Sequence, residues 1–207
     1  MHRLSQLLEH QKRFVRDTSH QLRTPLAVLK TQLQSARRGD VPPAQALEEI
    51  AHTVDRATDL ANQMLALAKV EQLRQDKDVP VTDWGAVVRA VALDLAALIA
   101  DRGLDFSLDL SPDPRPAPVR AHEWALRELT RNLLHNAIKH TPAGAPLWLR
   151  LQADGRHATL TVSDSGPGIS PALRERLFQP FATDHRAAPS SAGSGLGLAI
   201  CREIVQS

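Results

Sequence analysis

The 207-residue chain has one cysteine, two methionines and no tyrosine. The lone thiol, Cys201, cannot close an internal disulfide, so the chain suits a reducing compartment. Its aromatics are four Phe and three Trp, and its 25 Lys and Arg are nearly balanced by 23 Asp and Glu with no basic block. Both features argue against a base-stacking nucleic-acid surface. The longest clean apolar run, 95–100, is far short of the roughly 20 residues that span a bilayer. Residues 1–13 are mostly polar, unlike a signal peptide. A hydrophobic share of 43% and a charged share of 23% are ordinary, which excludes wholesale disorder, a collagen-like fibre and a disulfide-stapled miniprotein. What is left is a soluble cytoplasmic protein, or a cytoplasmic piece of something larger, with one large domain or two small ones.

The first third reads as two long helices. From Leu8, apolar residues recur at Val15, Leu22, Leu29 and Ala36, with Leu26 and Leu33 widening the stripe. Gly39-Asp40 stops this helix and Pro42-Pro43 opens a second. The second helix shows the three-four stagger of a coiled-coil-like hairpin at Leu47, Ile50, Val54, Ala57, Ala61, Met64 and Ala68. Two helices alone leave the flanks of the stripe wet, and pairing two hairpins into a four-helix bundle buries them, so a homodimer is expected. Residues 76–83, within a polar stretch that begins near 72, read as a linker. Beyond it, 84–102 has helical periodicity, 104–110 alternates as a half-buried strand, and prolines between 112 and 118 mark a loop. The spacing predicts an amphipathic helix over 123–140, a hairpin of 146–153 with 157–164 around Asp154-Gly155, and a last helix from about 195. The fold class read from this order is an all-α helical hairpin over 1–75 followed by an α+β sandwich over 84–207.

Several motifs carry possible chemistry. In SHQLRTPL (19–26), a helix-interior proline costs about 3 kcal/mol, and it stands one turn beyond His20, which falls off the apolar seam. His20 is either a solvated surface histidine or an acceptor served by a second domain. In NLLHNAIKH (132–140), Asn132 and Asn136 share one helix face, and carboxamide oxygens suit Mg²⁺, which keeps waters and borrows phosphate oxygens. Lys139 adds a cation one turn on. DSGPG (164–168) follows a predicted strand, where Asp164 can accept from an exocyclic amine while Gly166 and Gly168 let backbone approach a ring. GSGLGLAI (193–200) opens a helix whose free N–H groups face a phosphate. Taken singly, each motif has a plain structural alternative: a solvated helix face, a turn, a flexible lead into a helix. Their order and spacing together carry the weight.

That order resembles the catalytic core of bacterial sensor histidine kinases of two-component signalling, over essentially the whole chain. SHQLRTPL is similar to the family's H box, NLLHNAIKH to its N box, DSGPG to G1, LFQPF (177–181) to the F box and GSGLGLAI to G2. The resemblance implies a dimerisation and phosphotransfer hairpin joined to an ATP-binding domain of the kind shared with gyrase and Hsp90. It implies that His20 accepts a phosphoryl group from ATP and that Asn136 holds Mg²⁺ with Asn132 beside it. Lys139 and His140 would lie near the phosphates, and Asp164 would read the adenine amine in a pocket shaped by Gly166 and Gly168. Gly193, Gly195 and Gly197 would border the triphosphate, with Leu196 supporting the start of the helix. Phe178 and Phe181 would anchor a mobile lid, a role close to plain core packing. The phosphoryl group would pass to an aspartate on a response-regulator receiver domain.

Three departures from the family pattern stand out. Gln21 occupies a position where many relatives carry an acid. It can accept the imidazole N–H but supplies no negative charge, so autophosphorylation is expected to be slower than in an acidic version. Thr24 matches a position the family uses to orient water when dephosphorylating the regulator; packing or capping beside Pro25 is the alternative. His140 stands where tyrosine is frequent. Relatives also continue with further strands and carry N-terminal sensor and membrane segments. The chain is therefore expected to be a C-terminally incomplete cytoplasmic piece of an inner-membrane sensor, touching membrane only through absent N-terminal segments. Two other readings stay open: a dimeric nucleotide-binding scaffold without chemistry, and a clamp ATPase of the gyrase or Hsp90 type, in which the hairpin would have no purpose.

Overall fold

The computed structural model describes residues 2–74, 76, 78–111, 117–154, 156–183 and 194–207, with backbone alone for 2–19 and 111. The chain forms two compact units, Met1–Leu65 and Ala66–Ser207.

The first unit is built on α1 (His2–Arg38) and α2 (Pro43–Leu73). Helix α1 runs unbroken through Pro25, whose missing N–H leaves the Gln21 carbonyl without its helical donor. It ends at Gly39, where φ of +76° suits glycine. On α1, Leu22, Pro25, Leu29, Gln32 and Ala36 are half-buried. On α2, Ala46, Ile50, Thr53, Ala57, Leu60 and Met64 are buried or half-buried, an alternating four-three spacing.

This seam corrects the sequence reading in part. Thr53 lies in it because its hydroxyl donates to the Glu49 carbonyl (2.9 Å), which removes the penalty of burying an unpaired hydroxyl. Gln32 lies in the α1 seam, donating at 3.4 Å to the same carbonyl. Leu47 and Val54, read as seam residues, are 69% and 45% exposed; Leu26 and Leu33, read as widening the stripe, are 61% and 52% exposed. These four residues sit one position off the seam, on its flank.

In the second unit, β1 (Val81–Asp83) pairs antiparallel with β3 (Pro118–Arg120), so part of the stretch read as linker is a strand. Asp83 ends β1 and caps the next helix: its Oδ1 accepts from Gly85 N and Ala117 N, both at 3.0 Å. The helix read as one piece is two, α3 (Trp84–Asp94) and α4 (Ala96–Asp101). The break falls at Leu95 (φ −98°, ψ 2°), and Leu95 and Ile99 are both buried across it.

Strand β2 (Asp105–Ser111) runs parallel to β4 (Pro146–Ala153), and β4 pairs antiparallel with β5 (Ala158–Ser163). Leu147, Leu149 and Leu151 of β4 are almost fully buried, while Trp148 between them is half exposed. That alternation is the mark of a sheet covered on one face. Helix α5 (Glu123–His140) packs against α3, β4, β5 and the last helix, α7 (Gly197–Val205). Val88, Val91, Leu134, Ile138 and Ile200 form the centre of this core. A short α6 (Pro171–Arg174) lies between β5 and α7 in sequence. Inside the core, Trp84 Nε1 donates to Thr130 Oγ1 (3.1 Å), whose hydroxyl donates to Leu126 O (2.7 Å). Both polar groups are thereby satisfied.

Candidate nucleotide and phosphoacceptor sites

His20, Gln21, Arg23 and Thr24 are exposed on α1, while Leu22 and Pro25 turn toward the seam. The Thr24 hydroxyl reaches back toward the His20 carbonyl at 3.5 Å, the outer limit of a hydrogen bond. Thr24 thus has a local backbone contact and remains open to solvent.

The remaining site residues lie in the second unit, where segments far apart in sequence meet through glycines. A Cβ on Gly166 would stand 2.9 Å from the His140 carbonyl oxygen and 2.7 Å from Asp164 Oδ1. Only a residue without a side chain lets the end of β5 approach the last turn of α5 so closely. The Gly166 N–H donates to Asp164 Oδ1 (2.8 Å), fixing a carboxylate that is otherwise exposed. Gly168 has φ of +76° in open space. At the start of α7, a Cβ on Gly197 would lie 3.0 Å from Asn132 Oδ1. A Cβ on Gly195 (φ +72°) would lie 2.7–2.8 Å from the backbone of Phe181 and Ala182.

The Phe181 N–H donates to Gly195 O (2.9 Å), and Phe181 itself has φ of +64°. The F-box backbone is thus tied directly to the G2 loop. Phe178 is 46% exposed, while Phe181 is half-buried. Leu196 is fully buried at the N-cap of α7. Gly193 lies outside the described residues.

Charges gather at the end of α5. Desolvation by burial lowers the Lys139 ammonium pKa below its ordinary 10.5. His140 is lowered below 6.5, first by desolvation and then by Lys139 and Arg102, with Asp164 pulling the other way. His140 therefore lies within electrostatic reach of Asp164, although the two stand 24 positions apart in the sequence. Asn136 is exposed and Asn132 half-buried on the same helix. Among the described residues, no group of three or more His, Cys, Asp or Glu could cage a metal. Two carboxamides on one helix face fit Mg²⁺, which keeps several waters and completes its shell from phosphate oxygens.

Two residues the motifs did not single out support these groups. The Arg102 guanidinium donates to the Lys139 carbonyl (2.7 Å), closing the end of α5 from across the fold. Nothing in sequence spacing signals that contact. Glu128 accepts from Asn132 Nδ2 (2.8 Å); its place one turn before Asn132 was legible, but its role was not.

A sheet backed by helices, with two glycine-rich segments meeting an Asn-bearing helix, defines the histidine kinase, gyrase and Hsp90 class of nucleotide-binding fold. Residues 121–207 match the family model "Histidine kinase-, DNA gyrase B-, and HSP90-like ATPase". Residues 10–73 match "His Kinase A (phospho-acceptor) domain". Sensor protein kinase PmrB of Pseudomonas aeruginosa is 33% identical over 209 residues, covering all of this chain and 43% of that protein. Probable sensor histidine kinase TcrY of Mycobacterium tuberculosis is 37% identical over 199 residues, covering 94% of this chain and 41% of that protein. The solved Acinetobacter baumannii histidine kinase AdeS superposes with a TM-score of 0.70 at 26% identity, over 90% of this chain and 86% of that one. The chain belongs to the sensor histidine kinase family and carries the two regions of its catalytic core. It spans less than half the length of the curated relatives it matches.

Proposed function

We propose that this chain is the core of an ATP-dependent protein-histidine kinase of a two-component system. Its phosphotransfer hairpin is 1–75, its linker 76–83 and its ATP-binding domain 84–207. An imidazole nitrogen of His20 attacks the γ-phosphorus, a P–N bond forms, and the bond to the β-phosphate oxygen breaks with its electron pair leaving on ADP. The imidazole must be neutral to attack, because a protonated ring nitrogen has no lone pair to offer. Gln21 orients the imidazole N–H without adding negative charge, and Gln21→Glu is expected to raise the phosphorylation rate; an unchanged or lower rate would refute this role.

The chain's remaining work is positioning and charge complementarity. Asp164 accepts from the adenine amine, in a pocket kept open by Gly166 and Gly168. Lys139 and His140 face the phosphates, and 193–197 lines the triphosphate with Leu196 packed beneath. Asn136, with Asn132 beside it, holds Mg²⁺, which neutralises phosphate charge when bound. The phosphoryl group then passes to an aspartate on a response-regulator receiver domain, and Thr24 orients the water that later hydrolyses this aspartyl phosphate to carboxylate and inorganic phosphate, which makes the protein a regulator phosphatase as well.

We also propose that the hairpin dimerises into a four-helix bundle through the exposed flank of Leu26, Leu33, Leu47 and Val54. The core would work on the cytoplasmic side of an inner-membrane sensor. Among the described residues no helix is long and apolar enough to cross a membrane.

The observation that carries this reading is the meeting of four separate motifs at three glycine contacts: Gly166 on the His140 carbonyl, Gly197 on Asn132, and Gly195 on Phe181. The test is incubation with γ-labelled ATP and Mg²⁺. Protein-bound label that survives alkali, is lost in acid and disappears in His20→Gln is expected. Nucleotide binding without label would favour a binding-only scaffold. Release of phosphate without label would favour a clamp ATPase.

A further inference from the structure

The Asn132 carboxamide is held in one orientation. Its Nδ2 donates to the Glu128 carbonyl (3.0 Å) and to Glu128 Oε1 (2.8 Å). An amide nitrogen has two hydrogens, so both are used. A flipped amide would set Oδ1 against two acceptors and leave Nδ2 unpaired, so this geometry selects the rotamer that points Oδ1 away from Glu128.

That oxygen lies 3.0 Å from the place a Cβ would occupy on Gly197, the first residue of α7. The carboxylate is also near α7, since its charge helps push the buried Cys201 thiol up to about 12, after desolvation. Glu128 therefore sits at the seam between the Asn-bearing helix and the helix that follows the glycine-rich loop. The backbone bond from Asn132 alone would leave the amide able to swing; the charge-assisted bond to Oε1 is the stronger restraint.

We propose that Glu128 is a positioning residue for the metal–nucleotide complex, holding Asn132 so that its carbonyl oxygen faces the start of α7. This rests on the nucleotide-binding reading above and adds a residue that none of the five motifs contains. Glu128 touches neither nucleotide nor metal in this scheme and acts through Asn132. Gly197 completes the arrangement by leaving room for Oδ1.

The test compares binding of a non-hydrolysable β,γ-imido ATP analogue to the full chain in Mg²⁺ and in excess EDTA. Glu128→Leu removes the acceptor; Glu128→Gln keeps an oxygen in its place. Glu128→Leu is expected to weaken binding in Mg²⁺ about tenfold, the order of one charged hydrogen bond, and to shift EDTA binding by less than about twofold. Glu128→Gln is expected to restore most of the Mg²⁺-dependent affinity. Glu128→Ala, which removes the acceptor with a smaller side chain, is expected to show the same Mg²⁺-selective loss, and it serves as the test if Glu128→Leu fails to fold.

Unchanged Mg²⁺ affinity in Glu128→Leu or in Glu128→Ala overturns the inference. So does an equal loss in Mg²⁺ and EDTA that Gln does not rescue, which would mark a purely structural role. Failure of the unaltered chain to bind the analogue under either condition overturns the nucleotide reading itself, and this inference with it.

Discussion

Two glycines of the site share a positive φ but differ in what surrounds them. Gly168 (φ +76°) has nothing within 4 Å of a notional Cβ, whereas Gly195 (φ +72°) faces the Phe181–Ala182 backbone at 2.7–2.8 Å. A non-glycine residue in the left-handed region costs about 1–2 kcal/mol, and that is the expected loss for Gly168→Ala in urea unfolding. Gly195→Ala adds a collision that backbone cannot relieve, so its loss is expected to be about 3 kcal/mol or more; equal losses would show that the close approach is unimportant. His140 makes a second prediction at this scale. Its pKa in the folded chain lies below the ordinary 6.5 because burial and the cations Lys139 and Arg102 outweigh Asp164. Well above pH 6.5 the imidazole is neutral in both states and contributes no pH dependence. As pH falls below 6.5, the unfolded chain takes up the proton first and the folded state is destabilised. The melting temperature should therefore fall more steeply between about pH 7 and 5 for the natural chain than for His140→Gln; parallel curves would refute the shift.

Among the elements, the last turns of α2 belong with the second unit, and specific contacts account for it. Val70 is 2% exposed. The Lys69 ammonium lies 4.3 Å from the centre of the Trp124 ring on α5. Arg74 pairs with Glu203 of α7 at 2.7 Å, both about a third exposed, and also donates to the Glu203 carbonyl at 3.4 Å. A double-mutant cycle with Arg74→Ala and Glu203→Ala should give a coupling of about 0.5–1 kcal/mol, since partly exposed pairs gain little over water. The coupling should shrink in high salt, and a zero value at low salt would show that apolar packing alone holds this turn. The same element explains what spacing could and could not reveal. The helix limits of α5 and the strand limits of β4 were readable, because long periodic segments punctuated by Asp, Gly and Pro leave few alternatives. The break at Leu95 and the strand at Val81–Asp83 were not. One turns the chain so that Leu95 and Ile99 are both buried across it, and the other exists only because Pro118–Arg120 lies alongside it.

For the whole molecule, the flank residues of the hairpin decide assembly. Leu33 is 52% exposed in the single chain and lies on the face assigned to a second copy. Removing a leucine from a buried interface forfeits about 1.5–3 kcal/mol per copy. Leu33→Glu is accordingly expected to raise the dimer dissociation constant by about tenfold or more, measured by sedimentation, with the helical content of the hairpin little changed. A dimer of undiminished strength would move the interface elsewhere on α1 and α2.

The sequence by itself determined the division into a helical hairpin and an α+β unit, the family, and the residues able to do chemistry. Heptad spacing, a proline beside a histidine and clustered glycines act through local backbone geometry, which needs no distant partner to be read. Only the tertiary structure decided which apolar residues face inward. Thr53 takes a seam position because a backbone carbonyl satisfies its hydroxyl, Gln32 takes another while donating to the same carbonyl, and leucines are left outside. It also decided which motifs touch, and that Glu128 and Arg102 brace them. Those contacts join residues whose spacing along the chain carries no period, so they arise only when separate elements pack and a hydrogen bond forms across the gap.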